Sequence, residues 1–235
     1  MNEFDIIMAE QFEFVKAISQ KSGKSSVVLR HRKSGKKVVK ILAEGNGEIY
    51  RILAGVSHPN LPEILNVSTQ ANKTEIIEEY IDGISISEVL QTGLYNEKGA
   101  ITVACEICKA LSALHSLNII HRDIKPENVM IDKKGNVKLI DFDAARLYKS
   151  YQPRDTVAIG TAGFAAPEQF GIGQTDFRSD IFALGILLNV MLTGEHPSRR
   201  IYNGKLGSII EKCINIDPNR RWGNVYQLHE ALVNI

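Results

Sequence analysis

The run His121-Arg122-Asp123-Ile124-Lys125-Pro126-Glu127-Asn128, followed downstream by Asp141-Phe142-Asp143, collects carboxylates, an amide and an ammonium at short spacing. Moving a phosphoryl group asks for such a set. A carboxylate must orient the attacking hydroxyl and accept its proton. Oxygen ligands must hold Mg²⁺ on a triphosphate, because Mg²⁺ is a hard cation. A cation must hold the phosphates. Asp123 has the position for the first of these roles, and Asn128 and Asp141 can supply metal ligands. Lys125, two residues after Asp123, can reach the transferred group. A strand turn between Asn128 and Asp141 lets the two converge on one metal.

The elements that must position these residues follow from patterning. Residues 12–18 and 27–42 read as short strands, with Ser34-Gly35 as a hairpin turn inside the second stretch. Residues 47–56 allow two to three helical turns, closed by Gly55 and the Ser57-His58-Pro59 break. Residues 61–67 and 74–80 are again strand-like. After Asp82-Gly83 the texture turns helical. Residues 100–117 carry apolar side chains at helical spacing, and helices are expected near 179–193, 206–214 and 223–233. Two short strands, near 128–131 and 137–140, flank the turn Lys133-Lys134-Gly135, and residues 143–170 read as a long loop. The first third is thus β-rich and the rest mainly helical, with the boundary near residues 81–83.

Further landmarks fall in a fixed order along the chain. They are Val39-Lys40-Ile41, Glu79-Tyr80-Ile81, Gly160-Thr161 with Ala166-Pro167-Glu168, Ser179-Asp180-Ile181 with Gly185, and Asp217-Pro218 with Arg221. Together with the His121 to Asn128 run they resemble the eukaryotic-type protein kinases. The run GTAGFAAPEQFG is similar to bacterial serine/threonine kinases in particular, here in a minimal form. The resemblance covers nearly the whole chain. It implies an α+β, bilobal kinase-like fold, with a β-rich lobe over 1–81 and a helical lobe over 82–235. It implies ATP with Mg²⁺, or Mn²⁺ in its place, and protein Ser/Thr hydroxyls as acceptors, including the chain's own.

The same resemblance implies roles. Lys40 would pair with the α/β-phosphates, Asp123 would be the base, Lys125 would stabilise charge, and Asn128 and Asp141 would hold the metal. The backbones of Glu79 and Ile81 would meet adenine. Thr161 would bridge toward Asp123 and Lys125. Glu168 and Arg221 would form a buried ion pair, and Asp180 would hydrogen-bond the backbone of the His121-Arg122-Asp123 turn. Arg122 would receive a phosphate from the activation segment. Thr156 is the first candidate for that phosphate, Ser150 and Tyr151 the second, and direct pairing with Asp155 is the alternative. His121 is expected to pack beneath Phe142, and His115 to pack at a helix end.

The sequence departs from the family pattern in four places. The nucleotide loop keeps one glycine, in Ser22-Gly23-Lys24, where a Gly-rich loop is expected. Small serines and lysines there could cradle phosphate, or the stretch could be an ordinary basic hairpin. Only seven residues separate Lys40 from Glu48, the expected partner of Lys40, with Glu44 as the alternative. The helix must be short, and a regulatory partner or dimer could position it. Asp143 replaces the usual Gly and could cap a short helix over residues 144–146 or add a metal ligand. Between Pro197 and Ile209 only eleven residues remain, where the family carries an extra helix.

Composition sets the outer limits. The 235 residues are 44% hydrophobic and 23% charged, with 28 Lys plus Arg against 27 Asp plus Glu, which argues against nucleic acid or anionic membrane as a charge-recruited partner. The longest apolar run, 181–192, is too short to span a bilayer. The acidic opening residues lack a signal-peptide n-region. Cys105, Cys108 and Cys213 are too few for a disulfide framework, which points to a reducing, cytoplasmic compartment, and Cys105 and Cys108, on an apolar helix, read as core residues. Three functions compete: an active serine/threonine kinase, a pseudokinase acting as a nucleotide-binding scaffold, and a small-molecule phosphotransferase, which leaves GTAGFAAPEQ and Arg221 without a reason. The complete set of Lys40, Asp123, Lys125, Asn128 and Asp141 favours the first.

Overall fold

A computed structural model of the chain describes residues 8, 10–21, 23–45, 47–149, 161–170 and 174–235. It divides into two compact units, Met1–His58 with Pro62–Ile81, and Pro59–Leu61 with Asp82–Ile235.

The first unit is a five-stranded antiparallel sheet in the order β1-β2-β3-β5-β4. Its strands are β1 (Phe12–Lys21), β2 (Lys24–His31), β3 (Lys37–Glu44), β4 (Ile64–Gln70) and β5 (Lys73–Glu79). β-Branched residues fill β2, β3 and β5, and they suit a pleated, half-buried surface. One face is closely packed: Val28 and Ile76 are fully buried, and Val39 and Ile41 nearly so. On the other face Met8, Val38 and Ile77 form a small cluster with Phe12 and Leu29 against it. The β2–β3 hairpin turns through Gly35 at φ 69°, the left-handed conformation that glycine enters at little cost. Helix α1 (Glu48–Leu53) has only six residues, and Gly47 at φ 62° starts it.

The second unit is built on helices α2 (Ile86–Leu90), α3 (Glu97–Ser116), α4 (Phe177–Thr193), α5 (Lys205–Cys213) and α6 (Val225–Val233). The short strands are β6 (Gly83–Ser85), β7 (Ile119–Ile120), β8 (Val129–Asp132), β9 (Val137–Leu139) and β10 (Arg146–Leu147), in sheets β6-β8-β9 and β10-β7. Helices begin where capping chemistry stands. Asn96, Asp176 and Asn224 each accept a backbone N–H of the first turn, and Ser85 with Glu88 makes a capping box. Helix α4 is buried almost all round, as its continuous apolar sequence requires. The cysteines are reduced and buried: Cys105 and Cys108 lie in α3 and Cys213 at the end of α5.

The structure corrects three local expectations. Asp143 caps no helix: residues 143–144 form a turn, and Arg146 already belongs to β10. The left-handed φ of that loop falls on Asp141, at 67°. The long loop therefore contains a strand and, near its end, a 3₁₀ turn at Pro167–Phe170. Strand β6 and helix α2 were not anticipated, because neither is long enough to show a period.

Gly185 lies inside α4 where α5 approaches. A Cβ built on it would fall 2.4 Å from Cys213 Cβ and 3.0 Å from Ile214 Cγ2. Interiors this dense give little room. Gly185→Ala is therefore expected to destabilise the fold by roughly 1–3 kcal/mol despite alanine's better helix propensity. Urea unfolding checks this, and an unchanged midpoint would mean the two helices can part.

Candidate active site

The site is organised by Asp180, in the first turn of α4, whose carboxylate is fully buried. Its Oδ2 accepts the backbone N–H of His121 at 3.0 Å and its Oδ1 accepts that of Arg122 at 2.8 Å. His115 Nε2 meets Oδ2 at 2.8 Å, and its ring lies 4.8 Å from that of Phe177. Burial pushes the Asp180 carboxyl up, but the His115 bond, the nearby histidines and the Arg122 N–H outweigh it and hold it below the usual carboxylate range. His115 thus does more than pack at a helix end. The sequence signal for this was weak, because the partner lies 65 residues away.

Arg122 takes φ 65°, a conformation costly for a residue with a Cβ. It is fixed on both sides, by Asp180 at its N–H and by Gln169 Nε2, which donates to its carbonyl at 2.9 Å. This turn presents Asp123. Beneath it Ile124 is fully buried, and the His121 ring packs edge-on against Phe142 at 5.6 Å, as anticipated. Burial lowers the His121 pKa, against the pull of the Asp180, Asp141 and Asp123 carboxylates.

Around Asp123 polar side chains converge. Thr161 Oγ1 donates to Asp123 Oδ1 at 2.6 Å. Lys125 Nζ donates to Asp123 Oδ2 at 2.7 Å and to Thr161 Oγ1 at 2.7 Å. Asn128 Nδ2 donates to the Asp123 carbonyl at 2.8 Å and to Oδ2 at 2.9 Å. Asn128 stands in the 3₁₀ turn Pro126–Asn128, and its carbonyl accepts Ile140 N–H at 2.9 Å, which sets Asp141 just beyond. Both amide hydrogens of Asn128 face Asp123, so Oδ1 is the atom left for a cation. With the Asp141 carboxylate this makes an all-oxygen donor pair, which fits Mg²⁺ or Mn²⁺ rather than a softer metal.

Glu168, in the 3₁₀ turn Pro167–Phe170, makes a two-pronged pair with Arg221: Nη1 to Oε1 at 2.7 Å and Nη2 to Oε2 at 2.9 Å. Ser179 Oγ donates to Oε1 at 2.7 Å. Burial raises the Glu168 carboxyl, and the Arg221 and Ser179 bonds more than reverse this, leaving it depressed. Arg122 has a second cation beside it that the sequence did not lead one to expect. Its guanidinium is held down to about 10 by burial and then by Arg146. Thr156, Ser150, Tyr151 and Asp155 lie outside the described residues.

In the first unit the expectation for Lys40 is corrected. Its Nζ meets Glu75 Oε2 at 2.7 Å, not Glu48 or Glu44. Glu48 opens α1, and Glu44 closes on the β1–β2 turn: its N–H bonds the Gly23 carbonyl, and its carboxyl carbon lies 3.3 Å from where a Gly23 Cβ would stand. That turn is a tight hairpin pairing Lys21 with Lys24, with Gly23 at φ 78°, and Ser22 is outside the described residues. A carboxylate at Gly23 favours the basic-hairpin reading over a phosphate cradle. Glu79 ends β5, its N–H on the Glu63 carbonyl at 2.8 Å, and Ile81 beyond it is buried.

The protein kinase domain model matches residues 12–233. A probable serine/threonine-protein kinase of Clostridium perfringens is 32% identical over 204 residues, covering 81% of this chain and 30% of its own length. The serine/threonine-protein kinase PrkC of Bacillus subtilis is 34% identical over 61% of this chain and 22% of its own. For PknB of Mycobacterium tuberculosis the figures are 40%, 52% and 20%. The chain thus spans less than a third of the length of these relatives.

Breaking the Glu168–Arg221 pair leaves one charge buried alone. Glu168→Gln and Arg221→Met are each expected to cost about 3–5 kcal/mol in urea unfolding, and the double variant less than their sum. A carboxylate whose folded-state pKa is depressed stabilises the fold fully above its unfolded pKa and loses that contribution as pH falls through the folded one. Wild-type stability should therefore fall below about pH 4 more steeply than that of Glu168→Gln. Parallel curves would contradict the pair's role.

Proposed function

This chain belongs to the protein kinase domain family, and from that premise we propose that it is an active serine/threonine protein kinase. The observation that carries the reading is the cluster of Lys125, Asn128 and Thr161 on Asp123, all within 2.6–2.9 Å. In this reading Asp123 orients the acceptor hydroxyl and takes its proton. Lys125, already bridging Asp123 and Thr161, follows charge onto the transferred phosphoryl. Asn128 Oδ1 and Asp141 hold the divalent cation, which when bound neutralises charge on the triphosphate. Lys40 holds the α/β-phosphates, and the Glu79 and Ile81 backbones meet adenine. Lys125, two residues after Asp123, and Thr161 bridging to both resemble the pattern of kinases with Ser/Thr acceptors.

Arg122 and Arg146, two cations close together, support the reading that an activation-segment phosphate is received there, with Thr156 as its first candidate. Protein substrates, the chain itself among them, are the acceptors that this reading assigns. The complete set of Lys40, Asp123, Lys125, Asn128 and Asp141 supports an enzyme over a scaffold. Among the described residues no helix is long and apolar enough to cross a membrane.

With labelled ATP and Mg²⁺, the wild type should label itself or casein. Asp123→Asn should lose about 10²–10⁴-fold in rate while keeping ATP binding. A wild type that binds ATP and transfers nothing would refute the reading in favour of a scaffold.

A further inference from the structure

The connection from α4 to α5 contains no helix or strand, yet one buried amide gives it a set shape. Asn189, on α4, is fully buried. Its Nδ2 donates to the carbonyls of Glu195 and Arg200, each at 2.8 Å, and its Oδ1 accepts Tyr202 N–H at 2.9 Å. Thr193 Oγ1 accepts Glu195 N–H at 3.0 Å. A buried amide with these bonds made is costly to pull away, so it fixes the backbone it holds. That backbone carries His196. Its Nε2 meets the Gly163 carbonyl at 2.8 Å. Its Nδ1 lies 3.1 Å from the Ser198 backbone nitrogen and 2.8 Å from Ser198 Oγ. A backbone N–H can only donate, so Nδ1 is the acceptor and the ring proton sits on Nε2, where it donates to Gly163.

We propose that His196 is a positioning residue for phosphoryl transfer, a latch that ties the turn carrying Thr161 to the α4–α5 connection. It rests on reading the chain as a kinase whose base is Asp123. Gly163 lies in the middle of that turn, at φ 91°. The Thr161 carbonyl accepts the N–H groups of Phe164 and Ala165, each at 3.0 Å, which closes the turn on itself. The Thr161 hydroxyl leaves the same turn to donate to Asp123 at 2.6 Å. A Cβ on Gly163 would fall 3.9 Å from His196 Cδ2, so the ring rests against the residue it bonds. Residues 161–166 belong to no strand or helix, and side chains must therefore hold them. Asp123 and Lys125 hold the start through Thr161, and Arg221 holds the end through Glu168. His196 holds the middle. The connection is short, with eleven residues between Pro197 and Ile209, and one imidazole is enough for it to reach this segment.

Three readouts on the full chain test this. His196→Ala should lower kcat for phosphoryl transfer about 3–10-fold, the worth of one hydrogen bond, while the Kd for ATP stays put. His196→Gln, whose amide nitrogen can stand where Nε2 stands, should recover part of the loss. The other two readouts need no activity. By NMR, the Phe164 and Ala165 amide hydrogens should exchange about 3–10-fold faster in His196→Ala than in wild type, with His196→Gln between them. In wild type labelled with ¹⁵N-histidine, the His196 ring, assigned with His196→Gln, should carry its proton on Nε2 and accept at Nδ1. Unchanged exchange in His196→Ala, or a ring that accepts at Nε2, would overturn the latch. Faster exchange with an unchanged kcat would overturn its positioning role. A wild type without transfer would instead count against the kinase reading, and exchange would still decide the latch.

Discussion

One buried carboxylate carries the geometry of the second unit. Asp180 is inaccessible to water and accepts two consecutive backbone N–H groups and a histidine ring nitrogen. Leaving such a group unpaired in an apolar interior is expensive, so its donors are bound to it as firmly as it is to them. The turn it captures holds Arg122 at φ 65°, a conformation that persists only where surrounding bonds outweigh its cost. Asp123 follows at once in sequence. Its direction, and hence the cluster around it, is inherited from a helix that begins far along the chain.

The cluster in turn joins segments that share no regular structure. Thr161 comes from the activation segment, Lys125 and Asn128 from the loop after β7, and each reaches Asp123 with a side chain rather than a backbone ladder. The Glu168–Arg221 pair and Gln169 anchor the far end of the same segment. The proposed phosphoryl transfer would need groups held to within a fraction of an ångström, and buried charges supply such holding around Asp123. In the first unit the regular sheet, through β3 and β5, brings Lys40 and Glu75 together.

Legibility in the sequence followed the range of the interaction. The hairpin turn, the approximate helix positions and the β-rich to helical change were readable because turns and periods are local. The Asp123 cluster, the Asp180 bonds and the Glu168–Arg221 pair are long-range, yet they were readable through a family pattern fixed in order. The partner of Lys40 was not. Choosing among Glu44, Glu48 and Glu75 requires the register of two strands, and a one-residue slip would change the answer. Nor was His115 on Asp180, since a histidine on a helix carries no mark of what faces it. Asp143 misled because a helix cap and a turn begin with the same residue types.

The geometry of the second unit stands or falls on whether Asp180 positions Asp123. Asn at 180 keeps the shape but turns an N–H₂ group toward one of the backbone donors that the carboxylate accepts. Single-turnover phosphoryl transfer by Asp180→Asn, at saturating ATP and with folding verified by circular dichroism, is the direct measurement. The expected result is a loss of about 10²-fold in the chemical step with little change in ATP affinity. A folded Asp180→Asn that transfers phosphate at the wild-type rate would contradict it.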